Sequence, residues 1–478
     1  MKISLSTNFD PLLIKGLSGS NVSVIYGKLP SDVVGGGRPT FALPQISIDQ
    51  IKQHIELAHS QGIEFNYLLN AVCLDNLECT RVKNKQILDL LDLLKELEVD
   101  WVTVAIPYLI DLVKAHLPDV KVMVSTFANV DSIQKAQYYE RLGVNAITLP
   151  EQVNRNFNFL TLLRKKVNLD FHLIVTNDCL LSCPFRHHHP LFQSHASQAE
   201  HISNGFALDY CLLKCTYQKL KNPEAFIQSP WIRPEDTKYY EEIGINKFKI
   251  TERMKGTQQL LNIVKAYQER SYVGNLAKLL NVRMDKGDFL VPNFEYNNNA
   301  TFVDPDKMSE IYQLIFANNI IIDNKKLDGF LEFFIKNKVN CLETDCQECG
   351  YCSFIAKTAV SYDVNEYQRL IKQFDNLFNK LTSGDFFSSS NEKVITNVFW
   401  SDSINELFNK MIKAKPLIFR RMATNEIRLK AEEYVLQRGA KNVEIEDLVK
   451  ANFDVTPKKF HAKIKEQLVE IGIDFGMR

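Results

Sequence analysis

From residue 21 to about 271 the chain alternates short β-branched runs with amphipathic stretches, and this alternation constrains its fold more than any other feature. The candidate strands are NVSVIYG (21–27), FNYLLNA (65–71), WVTVAIP (101–107), KVMVST (121–126), NAITLP (145–150), DFHLIVTN (170–177), ALDYCLL (207–213) and NKFKIT (246–251). Between most of them lie helical patterns such as SIDQIKQHIELAHSQG and KNKQILDLLDLLKELE, with Gly62, Gly143 and Gly244 where helix C-termini fall. Strands that alternate with helices in this way read as an α/β chain with a (β/α)8 TIM-like barrel. A doubly wound open sheet is the alternative, weakened because no G-x-G-x-x-G follows the first strand. MKISLSTNF is expected to add a strand at the rim or bottom, and the GGGR at 35–38 to shape a loop.

The alternation stops near residue 272, and at 478 residues the chain is too long for one ordinary core. Three domains are expected: the barrel over 1–272, an α+β cysteine-bearing extension over 273–382, and a small helical domain over 396–478. Within the extension, 287–303 reads as short strands and turns and 305–340 as helical, with a further helix from CGYCSFIAKTAVSY. A Ser-rich linker is expected over 383–394. In the last domain Ile404, Leu407, Met411, Ile427, Ala431, Tyr434 and Val435 recur at helical spacing and read as core. Its basic run RRMATNEIRLK reads as a solvated face and a candidate docking surface.

Lys plus Arg and Asp plus Glu balance at 57 each, which removes any electrostatic case for bulk nucleic-acid binding. No apolar run approaches the roughly 20 residues of a membrane span, and MKISLSTNFDPLL has no signal-peptide pattern. A cytoplasmic location is expected. In a reducing compartment, clustered cysteines bind metal more often than they form disulfides.

Eight of the ten cysteines are clustered. Cys179 and Cys183 form one C-x3-C pair and Cys211 and Cys215 another. Cys341, Cys346, Cys349 and Cys352 lie within twelve residues. Barrel active sites are built at the C-terminal strand ends. On the strand list above, the first pair follows the sixth strand and the second ends the seventh, so four thiolates from two adjacent loops are expected to meet on the catalytic face. Four thiolates suit a [4Fe–4S] cluster or a closed zinc site. The later four are expected to bind a second [4Fe–4S] cluster or zinc, in a structural or electron-relay role. Position 186 is Arg, so the three-cysteine radical-SAM pattern is absent. Cys73 and Cys79 are expected to be core thiols.

The strand ends also carry Glu151, Arg186, His187, His188, His189, Lys249, Thr251 and Arg253. Arg186 and Arg253 match an anionic substrate bidentately, or pair with carboxylates within the mouth. One of the three histidines, with His187 taken first, is expected to face the pocket. Glu151 is expected to be a solvated rim carboxylate. Arg186, His187 and Arg253 are the candidate catalytic residues.

CLLSCPFRHHH, DYCLLKC, WIRPEDTKYYEEIGINKFKITER and CQECGYC together resemble the collagenase-like (U-32) peptidase family, over roughly residues 1–360. The resemblance implies a (β/α)8-like barrel with an iron–sulfur cluster on Cys179, Cys183, Cys211 and Cys215. It also implies oxygen-independent hydroxylation of ubiquinone precursors or RNA bases as a reaction type; the cluster at 341–352 is additional to the pattern. Residues 400–453 resemble the small C-terminal domain of the B subunit of light-independent protochlorophyllide reductase, through Trp400, Pro416, Arg421, Ala431 and Gly439. That similarity implies an iron–sulfur or photosynthetic-type setting without the reductase's catalytic part.

The expected function is an iron–sulfur enzyme performing redox modification of a small or partner-borne anionic substrate, with the C-terminal helices meeting a protein partner or electron donor. The rivals are a metallopeptidase, for which no H-E-x-x-H is present, and a non-catalytic iron–sulfur or zinc scaffold.

Overall fold

A computed structural model of the chain describes residues 1–290, 305–386, 398–413, 415, 417–456, 461–470 and 473. It divides into two compact units, 1–387 and 388–478.

The first unit is built on a closed barrel of eight parallel strands, taken in order: β1 (Lys2–Ser6), β2 (Val22–Gly27), β3 (Glu64–Leu69), β4 (Trp101–Val104), β5 (Lys121–Val124), β6 (Ala146–Thr148), β7 (Asp170–Ile174) and β8 (Lys247–Ile250). Two strand expectations are corrected. MKISLS is not a rim strand: it is β1, and it closes the barrel by pairing with both β2 and β8. The run 207–213 is not a strand. Asp209 caps a helix there by accepting a hydrogen bond from the Leu212 amide, and Cys211, Leu213, Lys219 and Leu220 form its buried face. A short apolar run carries no usable periodicity, and the cap decided its state.

Helices α1 (Pro11–Gly16), α2 (Ile48–His59), α3 (Arg81–Glu96), α4 (Pro107–His116), α5 (Ile133–Arg141) and α6 (Phe157–Lys166) follow successive strands. Local signals fix their ends: a Ser47–Gln50 capping box opens α2, and Pro107 starts α4 where no amide partner is required. After α5, Gly143 takes φ +71°, which only glycine adopts without penalty. The β7–β8 connection is long. It holds α7 (His188–His195), α8 (Tyr210–Lys221), α9 (Ala225–Gln228) and α10 (Thr237–Glu242), and α11 (Thr257–Glu269) follows β8.

Alternate residues along each strand face opposite ways. Ile3 and Leu5 join the apolar layer under the helices. Ser4 and Ser6 turn inward, where Ser4 Oγ meets His172 Nδ1 at 3.2 Å and Ser6 Oγ donates to the Glu252 carbonyl at 3.1 Å. Thr103 donates to Asn66 at 2.8 Å in the same interior. Val24, Trp101, Met123 and Ala146 form a small apolar cluster of their own. The barrel interior is thus strongly polar, where Val, Ile and Leu usually dominate.

The extension belongs to the same unit. The expected helix over 305–340 is broken into Pro305–Ile315, a short strand at Ile321–Ile322 and Phe330–Asn337. Helices Tyr351–Ala359 and Val364–Ser383 follow. Most of 287–303 and of the Ser-rich stretch lies outside the described residues. A second core, including Leu213, Leu220, Met308, Ile311, Tyr367, Phe374 and Phe378, joins α8 to the extension helices.

Among its described residues the second unit has four helices, Asp402–Lys413, Leu417–Gln437, Ile445–Asp454 and His461–Glu470, around Ile404, Phe408, Met411, Ile427, Ala431, Val435 and Leu448. Leu407 and Tyr434 pack at its edge. Trp400 donates to Glu432 at 2.9 Å beneath the Arg428 guanidinium, 4.6 Å from the ring centroid. No helix among the described residues is long and apolar enough to cross a membrane.

Candidate functional site

A cavity of about 230 Å³ opens at the C-terminal end of the barrel, and Cys179, Cys183, Cys211 and Cys215 all line it. They share a cavity, but the segments that supply them differ from the expectation. Cys179 and Cys183 lie in the loop after β7, while Cys211 and Cys215 lie one turn apart on α8. One connection therefore supplies all four, instead of two adjacent loops. Residues four apart share a helix face, so the C-x3-C spacing presents both α8 cysteines to one point.

All four thiols are free of disulfides. Burial, reinforced by Glu151, lifts the Cys179 thiol well above its ordinary range; burial and then Asp209 push Cys211 up to about 12. Burial also raises Cys183 and Cys215. Cation binding to such thiols is coupled to proton release. The loop is held in place by Lys219 of α8, which is buried and bonds to the Asp178 carboxylate at 2.6 Å. Burial works against the Lys219 charge, but Asp178 outweighs it and the ammonium is held on.

Arg186 spans the mouth. Its Nη1 donates to Glu151 at 2.8 Å and its Nε to Asn129 at 2.9 Å. Glu151 is accordingly buried and paired, not solvated on the rim. Of the three histidines, His189 lines the cavity, and its Nε2 lies 3.0 Å from Asp209. His187 and His188 are exposed at the start of α7.

The other wall is cationic. Glu252, unmarked by any sequence pattern, sits just past β8 with φ +102°, a strained value for a side-chain-bearing residue. Its buried Oε2 has no hydrogen bond but lies 3.9 Å from Arg38 and 3.7 Å from Arg283. Burial favours its protonation, yet the two guanidiniums prevail and hold the carboxyl below its usual range. Behind that wall, and not among the residues lining the cavity, Arg253 is buried with Nη1 enclosed and unbonded. Burial and then Arg38 bring Arg253 down to about 10. Lys249 Nζ lies 4.2 Å from the Tyr26 ring centroid, and burial and then Arg253 bring it down to about 7. Met308, Ile311, Tyr312, Ile315 and Phe316 of the extension complete the cavity wall.

Cys341, Cys346, Cys349 and Cys352 line a second, smaller hollow. Cys346–Cys349 forms a single helical turn capped by Asp345, and Gly350 at φ +61° turns the chain into the helix bearing Cys352. Arg155, after β6, braces this hollow. It donates to the carbonyls of Ile227, Gln228 and Ser229 and approaches Cys352 Sγ at 3.9 Å. Its guanidinium lies 4.9 Å from the Phe330 ring centroid. Leu181, between the two cysteines of the first pair, also lines the second hollow. The two cysteine sites therefore share a loop.

Each set offers four cysteine sulfurs, the donor type of an iron–sulfur cluster or a closed zinc site. Among the described residues, a thiol, a carboxylate and an imidazole come within 4.8 Å of one another at Cys73, Asp75 and His195. Cys73 and Cys79 are not core thiols: Cys73 is half-buried and Cys79 exposed.

The peptidase family U32 model matches residues 41–271. An uncharacterized protease of Methanocaldococcus jannaschii is 31% identical over 338 residues, covering 70% of this chain and 88% of the relative. The chain belongs to peptidase family U32. Among solved structures, the U32 peptidase Mk0906 is 22% identical and matches 52% of this chain and 91% of its own, with a TM-score of 0.40. A phosphoribosylanthranilate isomerase from Thermotoga maritima is 7% identical and matches 56% of this chain and 99% of its own, with a TM-score of 0.31.

Proposed function

We propose that this U32 family protein is an iron–sulfur enzyme that performs redox modification of a small or partner-borne anionic substrate, with oxygen-independent hydroxylation as the reaction type. The observation that carries the reading is the convergence of Cys179, Cys183, Cys211 and Cys215 on one cavity beside a cationic wall. A bound [4Fe–4S] cluster supplies one-electron chemistry at that point. Arg38 and Arg283, which line the cavity, receive the substrate's anionic group. Glu252 orients Arg38 and Arg283, and the apolar extension wall limits water. Arg186 acts as a positioning residue, with its Nη1 and Nε engaged by Glu151 and Asn129.

Cys341, Cys346, Cys349 and Cys352 hold a second cluster or zinc. The loop shared through Leu181 favours an electron-relay role for that site. An electron donor docks on the C-terminal helical unit. Binding of a low-potential donor protein that is lost on removing 396–478 supports that part of the reading.

Anaerobic purification followed by iron, sulfide and EPR measurement tests the whole. The expected result is a brown protein in which Cys179→Ser removes one cluster signal and leaves the other. A colourless protein with stoichiometric zinc overturns it. A peptidase reading is favoured by one observation, the His189–Asp209 pair on the cavity wall. Cleavage of a peptide library that survives removal of iron and is lost in His189→Ala would establish it instead.

A further inference from the structure

We infer that Cys73, Asp75 and His195 form a third metal site, a zinc clasp that fastens the β7–β8 connection to the loop after β3. Their ligand atoms all lie within 4.8 Å of one another. The set combines a thiol, a carboxylate and an imidazole, a donor mixture suited to zinc, and three protein ligands leave one position for water.

The site is assembled from two segments far apart in sequence. Cys73 and Asp75 follow β3, and His195 ends α7. His195 Nε2 lies 3.3 Å from Asp75 Oδ1, yet it is enclosed and makes no hydrogen bond. The Asp75 amide approaches Cys73 Sγ at 3.4 Å, and Cys73 Sγ lies 3.8 Å from Asp75 Oδ1. Both segments are already braced. Gln198 donates to the Cys73 carbonyl at 2.6 Å, and the Val72 amide donates to Ser194 Oγ at 3.0 Å. His201 stacks on His195 with centroids 4.7 Å apart, fixing the imidazole plane. A donor set held by its surroundings loses little freedom on binding an ion.

The consequence is mechanical. α7 belongs to the connection that carries all four barrel-mouth cysteines. A bond from His195 through zinc to Cys73 ties that connection to the barrel independently of any cluster. Coordination releases the Cys73 proton to solvent and requires no redox change.

The test reads Cys73 directly, so that the other cysteines do not confuse it. The full-length protein is stripped with a chelator and alkylated with and without added zinc ion, and each cysteine is followed by mass spectrometry. Zinc is expected to slow alkylation of Cys73 by about tenfold or more while leaving exposed Cys79 unchanged. His195→Ala and Asp75→Asn should each abolish the protection, with circular dichroism unaltered. Equal Cys73 rates with and without zinc, or protection that persists in both variants, overturns the clasp. If either variant misfolds, zinc content of Cys73→Ser decides: a loss of one ion per chain supports the site, and unchanged content refutes it.

Discussion

Replacing Lys249 with methionine is expected to stabilise the protein and to remove a pH dependence. Lys249 is buried in the upper barrel, facing Tyr26 from β2, Arg253 from the following loop and His172 from β7. Burial first, and then Arg253, opposes its charge and brings it from 10.5 to about 7. At about 1.4 kcal/mol per pH unit, that fall makes the folded ammonium about 5 kcal/mol unfavourable. Below pH 7 the group is charged in both states and the full cost applies. Between pH 7 and 10.5 the unfolded chain binds a proton that the native chain does not, so stability rises with pH. Loss of the Tyr26 contact opposes the gain by about 1 kcal/mol. Lys249→Met should therefore exceed the wild type by about 4 kcal/mol near pH 6 and by about 1 kcal/mol near pH 9. Urea unfolding of both full-length proteins at the two pH values measures it. A difference that stays constant with pH, or a wild type more stable at pH 6, refutes the reasoning.

Other perturbations follow from the same contacts. Glu252→Gln leaves Arg38 and Arg283 facing each other, at an expected cost of about 2 kcal/mol. Because the Glu252 carboxyl is held low, that cost is present above the ordinary carboxylate range and fades as pH falls through it; denaturation midpoints at pH 7 and pH 3.5 check the sign. Arg155→Ala strips donors from the carbonyls of Ile227, Gln228 and Ser229 and removes a cation from the Phe330 ring. The expected loss is about 3 kcal/mol in chemical denaturation. Metal content should fall at the second cysteine site while the barrel-mouth cluster signal persists.

The residues now placed explain which parts of the fold were readable. Seven of the eight expected strands overlap observed barrel strands, because β-branched runs punctuated by helix caps specify local state without tertiary help. MKISLS carried a strand pattern, but its place between β2 and β8 depends on barrel closure, a pairing between the first and last strands. ALDYCLL is ambiguous by itself, because an apolar run of that length fits a strand or a buried helix equally well. Its helical state rests on the Asp209 cap and on packing against the extension. Glu252 left no trace in sequence, since an acidic residue beside Thr251 and Arg253 is unremarkable until its φ of +102° and its two arginines are known.

Cysteine spacing by itself grouped the thiols into two C-x3-C pairs and one four-cysteine run. The repeating strand–helix pattern likewise determined a barrel. Only the tertiary structure decided that one β7–β8 connection supplies the whole first set, that Leu181 joins it to the second, and that Cys73 meets His195. These are contacts between segments separated by many residues. Local propensity carries no information about them, and only the closing of the barrel and the packing of its insertions brings them together.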